Sequence, residues 1–299
     1  MLITGSSGML GGTLVKYFSE KFDVYATSGQ QDLCFAKNHL KFDLNWDNYD
    51  QLLGWAKPDV IIHCAALTNG NLCANNPELA IQTNGLTLNK LAQAVDSSTK
   101  IIYISSDAVF PARVHKATEL DNTGSESVYG KSKELGEFFL ALNSENFTII
   151  RTTIVGFNHL PSRQSFVEWI VNSSIHEKHI NLFDDVVFTP ISCLSLAHAI
   201  STIIDEELFM NSIVHVAGSD VCSKLEFGVH LLNSLGLSTE YIDRGQIANF
   251  DGRANRSGDQ SLDCSYFEQV SGCKLPGLIE TVTQLTNEFY DAKRSPTGL

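Results

Sequence analysis

The sequence predicts an α/β protein: a Rossmann-type, doubly wound parallel sheet with a smaller, interleaved C-terminal lobe. Three observations support this fold class. Short β-rich runs alternate with helical patterns through the first half of the chain, and this alternation is typical of βαβ units. The run at 59–63 is almost entirely apolar, as expected for a parallel strand that is buried on both faces. A glycine-rich turn follows the first run.

The predicted elements follow from these runs in chain order. Strands are expected at 2–3, 23–26, 40–44, 59–63, 101–104, 148–150 and 213–216. Helices, identified by apolar residues at a helical period, are expected at 13–18, 77–95, 127–142, 165–175, 194–208, 224–235 and 277–290. We place a dinucleotide-binding domain at 1–155, with its sheet completed by about 190–217, and a mainly substrate-binding lobe at 156–299.

The composition argues against several classes of function. The chain has 21 Lys and Arg against 34 Asp and Glu, a formal net charge of −13, whereas proteins that bind nucleic acid or anionic membranes usually carry a basic surplus. Its seven cysteines form no C-x-x-C pair, which favours reduced thiols over disulfides or a zinc module. No apolar stretch is long enough to span a bilayer, and no signal peptide is expected. We therefore expect a cytoplasmic protein without a nucleic-acid, membrane or metal partner; a homodimer is left open.

The glycine-rich turn predicts a dinucleotide site. Gly5, Gly8 and Gly11 lie between the first strand and the first helix, with the spacing G-x-x-G-x-x-G. Glycines at this spacing permit a tight turn and let a pyrophosphate approach the helix N-terminus; an ordinary βα turn is the alternative. We expect the cofactor to contact this turn and the ends of nearby strands, at Gly5, Ser7, Gly8, Met9, Leu10, Gly11, Thr27, Ser28, Cys64, Ala65 and Ala66.

The end of the second strand bears on the choice of cofactor. Thr27 and Ser28 stand where an NAD-selective site usually has an acidic residue that binds the ribose 2′-hydroxyl. Small hydroxyl side chains are compatible with a 2′-phosphate, although no Arg lies nearby in the sequence. NADP(H) is therefore favoured, and NAD(H) is left open.

A serine, a tyrosine and a lysine predict the reaction centre. Tyr129 and Lys133 are four residues apart on a predicted helix, so their side chains share a face. A cation at Lys133 would favour the phenolate of Tyr129, whose ordinary pKa is near 10, and Lys133 can also hold the nicotinamide ribose. Ser106 follows the fifth strand, at the edge of the sheet where ligands of open α/β folds bind. A surface tyrosine and lysine on an amphipathic helix is the alternative.

These residues and several segments resemble one family. The segments are 104–110 (I-S-S-D-A-V-F), 58–68 (P-D-V-I-I-H-C-A-A-L-T), Asn84, 184–190 (D-D-V-V-F-T-P) and Arg256 six residues before Leu262. Together they resemble the dTDP-4-dehydrorhamnose reductases of the extended short-chain dehydrogenase/reductase superfamily, over nearly the whole chain but less closely after residue 156.

The resemblance implies an activity and a set of roles. The expected reaction is NAD(P)H-dependent reduction of a nucleotide-linked 4-keto-6-deoxy sugar, in which Ser106 polarises the carbonyl, Tyr129 donates the proton and Lys133 assists both Tyr129 and the ribose. The resemblance also implies that Asp43 and Leu44 face the adenine. The substrate-side residues that it implies are Thr68, Ser106, Asp107 and Arg256.

Three departures from the family keep other functions open. Ala108 replaces a tyrosine, Ile154 replaces a tryptophan that packs on the sugar, and Ser257 replaces a proline. The first alternative is a nucleotide-sugar epimerase or dehydratase, which keeps NAD bound and returns the hydride. The second is a regulatory subunit that retains the fold and the cofactor without catalysis. The identity of the sugar and of the nucleotide base is left open.

Overall fold

The computed structural model describes residues 1–29, 33, 35–112, 114–160, 164–249 and 258–294. Its centre is a seven-stranded parallel sheet with helices on both faces, so the predicted Rossmann-type fold is confirmed. The first half of the chain supplies six strands of this sheet. Its elements are β1 (Leu2–Thr4), α1 (Met9–Phe18), β2 (Tyr25–Ser28), β3 (Asn38–Lys41), α2 (Tyr49–Ala56), β4 (Val60–His63), α3 (Gly70–Asn75), α4 (Pro77–Ile81), α5 (Thr87–Ala94), β5 (Lys100–Ile104), α6 (Val128–Asn143) and β6 (Phe147–Arg151).

The second half of the chain returns once to the sheet and otherwise builds the lobe. Its elements are β7 (Ile154–Val155), α7 (Phe166–Ile175), β8 (Ile180–Phe183), β9 (Val187–Phe188), β10 (Ile191–Ser192), α8 (Cys193–Asp205), β11 (Ser212–His215), β12 (Cys222–Ser223), α9 (Lys224–Ser234), β13 (Ile242–Gly245), β14 (Asp259–Gln260), α10 (Ser265–Ser271) and α11 (Leu278–Arg294).

The strands are ordered β11–β6–β5–β4–β1–β2–β3, and every neighbouring pair is parallel. Successive side chains of a strand point to opposite faces, and here the two faces bury separate apolar cores. Leu2 belongs to the core that also contains residues of α2, α5 and α6, whereas Ile3 belongs to the core that also contains residues of α1, α8 and α10. From β1, the chain builds β2 and β3 on one side and then β4, β5 and β6 on the other. This change of direction beside β1 creates the crevice where open α/β sheets bind ligands.

The lobe has an apolar core of its own. This core joins α7, α9 and α11 with the short strands β8 and β9, and its members include Ile170, Phe227 and Leu285, all 0% exposed. The lobe also contains small sheets, in which β8 pairs with β13, β9 pairs with β12 and β14, and β10 pairs with β7. Among the described residues, no helix has both the length and the apolar character needed to cross a membrane.

Two helix predictions need correction. The first helix begins at Met9 instead of 13, because Gly11 and Gly12 are used for close packing and do not interrupt it. A Cβ on Gly12 would lie 2.3 Å from Cδ2 of His159. The helix predicted at 77–95 is interrupted by a π-helical turn at Gln82–Leu86, a kind of distortion often found at functional sites. The short helices α2, α3 and α10 were not predicted.

Candidate active site

A cavity of about 940 Å³ opens at the carboxyl ends of the central strands. It lies where the order of the strands reverses, around the ends of β1, β2 and β4. The structure brings together there every residue that the sequence proposes for the cofactor and three of the four proposed for the substrate. These are Gly5, Ser7, Gly8, Met9, Leu10, Gly11, Thr27, Ser28, Asp43, Leu44, Cys64, Ala65, Ala66, Thr68, Ser106, Asp107, Tyr129 and Lys133. The fourth substrate residue, Arg256, lies outside the described residues, as does Ser257.

The glycine turn has no room for side chains. Gly5 adopts a φ of +66°, and a Cβ there would lie 2.6 Å from Cα of Ala65. A Cβ on Gly11 would lie 2.3 Å from the carbonyl oxygen of Gly5, the same oxygen that accepts a hydrogen bond from the Gly8 N–H at 2.9 Å. The described first turn of α1 contains no acidic side chain. The turn therefore presents backbone N–H groups at a helix N-terminus, which suits a pyrophosphate.

The far end of the cavity is formed by the ends of β2 and β3. Ser28 Oγ is hydrogen-bonded to Nε2 of His39 at 2.9 Å, so this serine is held by the neighbouring strand. The Asp43 carboxylate accepts a hydrogen bond from the Asn45 N–H at 2.9 Å, which fixes the loop that carries Leu44. These contacts position the residues that the sequence proposes for the ribose and the adenine.

The reaction-centre residues converge from β5 and α6. Ser106 Oγ accepts a hydrogen bond from the Ala108 N–H at 3.1 Å and donates one to Oδ1 of Asp107 at 2.6 Å. Lys133 Nζ donates to the carbonyl oxygen of Ile104, two residues before Ser106, at 2.7 Å, and lies 4.1 Å from the ring centroid of Tyr103. The side chain of Ser106 also contacts that of Tyr129.

Burial shifts the titration of these groups. It lowers the pKa of Lys133 to about 7, an effect that the negative charge of Glu137 opposes. It raises the pKa of Tyr129, and the contact with Ser106 acts in the opposite direction. It also raises the pKa of the Cys64 thiol to about 12, which agrees with a packing role for that cysteine. The site thus holds a neutral phenol beside an amine that can exchange its proton near neutral pH.

The π-helical turn packs against α6 and holds the residues of the reaction centre in position. Asn84 is 0% exposed, accepts a hydrogen bond from the Leu67 N–H at 2.7 Å and donates to Ser132 Oγ at 2.8 Å. A Cβ on Gly136 would lie 2.5 Å from the carbonyl oxygen of Asn84, so α6 packs directly on this turn. Asn84 therefore ties the loop that carries Thr68 to the helix that carries the tyrosine and the lysine.

A buried ion pair lies one turn beyond Lys133 on α6. Arg151 donates to both carboxylate oxygens of Glu137, from Nε at 3.0 Å and from Nη2 at 2.7 Å. Ser105 Oγ also donates to Glu137, at 2.5 Å. Both charged side chains are less than a tenth exposed. The pair joins the ends of β5 and β6 to α6, and the sequence analysis did not identify it.

A second cavity, of about 700 Å³, connects the reaction centre with the lobe. Thr68, Ser106, Asp107 and Tyr129 line both cavities. The lobe contributes an aromatic wall to the second cavity, formed by Phe166, Trp169 and Phe183. These residues come from α7 and β8, and no motif marks them in the sequence. Ala108, one of the departures noted above, lines this cavity, and Ile154 lines the first.

The chain resembles known protein sequences over most of its length. The model of the family described as the RmlD substrate binding domain matches residues 1–291. A dTDP-4-dehydrorhamnose reductase of Sinorhizobium fredii is 29% identical over 240 residues, which cover 77% of this chain and 80% of that protein. The methionine adenosyltransferase 2 subunit beta of Xenopus laevis is 25% identical over 294 residues, which cover 94% of this chain and 86% of that protein.

Solved structures share the fold over nearly its full length. A dTDP-4-dehydrorhamnose reductase of Clostridium acetobutylicum superposes with a TM-score of 0.85 at 25% identity, covering 97% of this chain and 99% of that one. A dTDP-4-dehydrorhamnose reductase of Bacillus anthracis in complex with NADP gives a TM-score of 0.85 at 23% identity, covering 96% and 98%.

Proposed function

The chain belongs to the RmlD substrate-binding-domain family, and we propose that it is an NAD(P)H-dependent reductase of a nucleotide-linked 4-keto-6-deoxy sugar. One observation carries the proposal. Ser106 and Tyr129 line both cavities, so a carbonyl held in the second cavity can face a nicotinamide held in the first. The name and family of the Sinorhizobium relative support the same reaction.

The first cavity suits a dinucleotide. Gly5 and Gly11 leave a cradle that a Cβ would fill, beside a helix N-terminus without an acidic first turn. NADP(H) is the preferred form, because β2 ends at Ser28 with no acidic side chain there to bind a 2′-hydroxyl. The NADP that the Bacillus anthracis structure contains supports this preference. When bound, the cofactor supplies the hydride.

The residues of the chain then have distinct tasks. Ser106 turns its hydroxyl from Asp107 toward the carbonyl oxygen and donates a hydrogen bond to it. Tyr129 transfers its phenolic proton to the same oxygen as negative charge develops there. Lys133, when protonated, stabilises the phenolate that remains and holds the ribose. Thr68 and Asp107, which line the second cavity, contact the sugar.

Replacement of Tyr129 tests this mechanism. Tyr129→Phe removes one oxygen and keeps the ring, so folding and NADPH affinity should be retained while kcat falls by roughly 10² to 10⁴. Tyr266→Phe is the matched control, since Tyr266 is partly exposed on α10 and lines neither cavity. Loss of NADPH absorbance with dTDP-4-keto-6-deoxy sugars gives kcat. A Tyr129→Phe protein with near wild-type kcat would exclude Tyr129 as the proton donor.

A second candidate is a non-catalytic regulatory subunit, which the similarity to methionine adenosyltransferase 2 subunit beta favours. The wild type would then bind NADPH without oxidising it in the presence of any nucleotide sugar, and would bind a partner enzyme instead. An epimerase or dehydratase would convert a sugar with no net consumption of cofactor.

The location, the assembly and the domain boundaries remain proposals. We propose a cytoplasmic protein, because scattered cysteines without a C-x-x-C pair favour reduced thiols, and a homodimer is left open. The division into a cofactor domain at 1–155 and a substrate lobe at 156–299 is proposed from the sequence pattern. Cell fractionation tests the location, and sedimentation of the full chain tests the oligomeric state.

A further inference from the structure

The wall of the second cavity carries a lysine to which no role has been assigned. Lys224 is the first residue of α9, and its backbone N–H donates to the carbonyl oxygen of Val186 at 3.0 Å. The helix start is fixed by a reciprocal capping box in which Ser223 and Glu226 bond each other's backbone. The backbone of Lys224 is therefore held in a fixed position in the lobe, and its side chain lines the cavity.

Aromatic rings hold the ammonium group in place. Nζ of Lys224 lies 3.1 Å from the ring centroid of Phe188 and 5.2 Å from that of Phe166. Such contacts stabilise a cation most when water is partly excluded. They also restrict the long side chain, so a ligand that binds Nζ has less conformational entropy to remove.

The charges around the cavity make this position distinctive. Among the described residues that line the second cavity, the charged side chains are Asp107, Glu126 and Lys224. Asp107 and Lys224 line the same cavity. Burial raises the pKa of the Asp107 carboxyl, and the charge of Lys224 acts in the opposite direction. Within this part of the lining, Lys224 is the one positively charged side chain, and its charge favours an anion that the two acids would repel.

We propose that Lys224 binds the diphosphate of the nucleotide-linked substrate and thereby selects nucleotide sugars over free sugars. The inference rests on the proposed function for the identity of the substrate. The cavity volume of about 700 Å³ suits a ligand of that size. The sugar then reaches Ser106 and Tyr129 on one side, and the aromatic wall at Trp169 and Phe183 is available to the base.

Binding of nucleoside diphosphates tests the proposal without requiring turnover. Isothermal titration of the NADPH-loaded protein with thymidine diphosphate and with thymidine compares a ligand that carries the charges with one that lacks them. Lys224→Met should weaken thymidine diphosphate by roughly 10- to 100-fold, the loss of one charge-assisted contact, and should leave thymidine unchanged. Lys224→Arg should restore most of the affinity.

Matched measurements separate this role from a structural one. Lys131→Met removes a lysine that is exposed on α6 and lines neither cavity, and should bind thymidine diphosphate like the wild type. The thermal midpoint and NADPH affinity of Lys224→Met should also equal those of the wild type. Unchanged affinity of Lys224→Met for thymidine diphosphate, or equal weakening of thymidine, would overturn the proposal.

The two proposals fail in different ways. A wild type that binds thymidine diphosphate through Lys224 but reduces no sugar contradicts the reductase function and supports the role of Lys224. A wild type that reduces the sugar, with a KM that Lys224→Met does not raise, contradicts the role of Lys224 and supports the reductase function.

Discussion

Replacing Glu137 with glutamine should destabilise the protein by about 3–5 kcal/mol, the usual effect of removing one partner from a buried ion pair. The carboxylate accepts three hydrogen bonds, two from Arg151 and one from Ser105. A glutamine has one acceptor oxygen, so its amide N–H₂ would face a donor. The Arg151 charge would remain buried at 4% exposure without its counter-ion.

The surroundings of Arg151 compensate little for the loss of Glu137. The Arg151 charge also acts on Glu119, but that carboxylate already accepts a hydrogen bond from the His215 N–H. Nη1 of Arg151 lacks a hydrogen bond among the described residues, and the guanidinium carbon lies 4.9 Å from the ring centroid of Phe110. The expected loss is a large part of the ~5–15 kcal/mol that stabilises most native proteins.

Urea denaturation followed by circular dichroism measures the change in the free energy of unfolding. Glu268→Gln is the matched control. Glu268 is 20% exposed and pairs with Lys274, which is 85% exposed, and a pair open to solvent on one side contributes little, on the order of 1 kcal/mol or less. The glutamine oxygen can still accept the hydrogen bond that Glu268 accepts from the Leu275 N–H. The double variant Glu137→Met with Arg151→Met should recover much of the stability, since it leaves no charge unpaired. Equal denaturation midpoints for Glu137→Gln and Glu268→Gln would refute the reasoning.

Two further predictions concern pH and the cofactor. Burial lowers the pKa of Lys133 to about 7, so kcat/KM for NADPH, which reports the cofactor-free protein, should fall as pH rises through about 7. Stability should move the other way: between pH of about 7 and 10.4 the unfolded chain binds this proton and the folded one does not, so this contribution rises with pH. A pH profile that is flat from 6 to 9 would contradict the first statement, and Glu137→Gln should shift the fall to lower pH. NADPH should bind more tightly than NADH, because β2 ends at Ser28; a tenfold preference for NADH in fluorescence titrations, about 1.4 kcal/mol, would reverse that assignment.

The parts of the site that short-range patterns encode were accessible from the sequence. The turn at Gly5–Gly11 and the i, i+4 pair of Tyr129 and Lys133 each lie within one local element, and a strand end positions Ser106. Their spacing alone determines which side chains share a face or a turn.

The lobe side of the site depends on contacts between distant segments. Lys224 and Phe188 meet because β12 pairs with β9, and both strands have two residues. Such strands are too short to show a period-2 pattern. The partnership of Glu137 with Arg151 likewise joins a helix to a strand end, so neither residue stands out in the sequence.

The substrate side of the molecule cannot be exchanged as a block. After β6 the chain enters the lobe, returns through α8 and β11 to complete the sheet, and leaves again. Leu196 and Ile200 of α8 lie in the same core as Leu14 of α1. A chimaera joined near residue 155 would therefore replace α8 and the edge strand β11, which both belong to the central sheet and its packing. In evolution, a change of sugar would therefore come through substitutions at single positions such as Ala108 and Ile154 more readily than through recombination of modules. In the laboratory, chimaeras with a single crossover near residue 155 should misfold, whereas variants at Ala108 or Ile154 should fold.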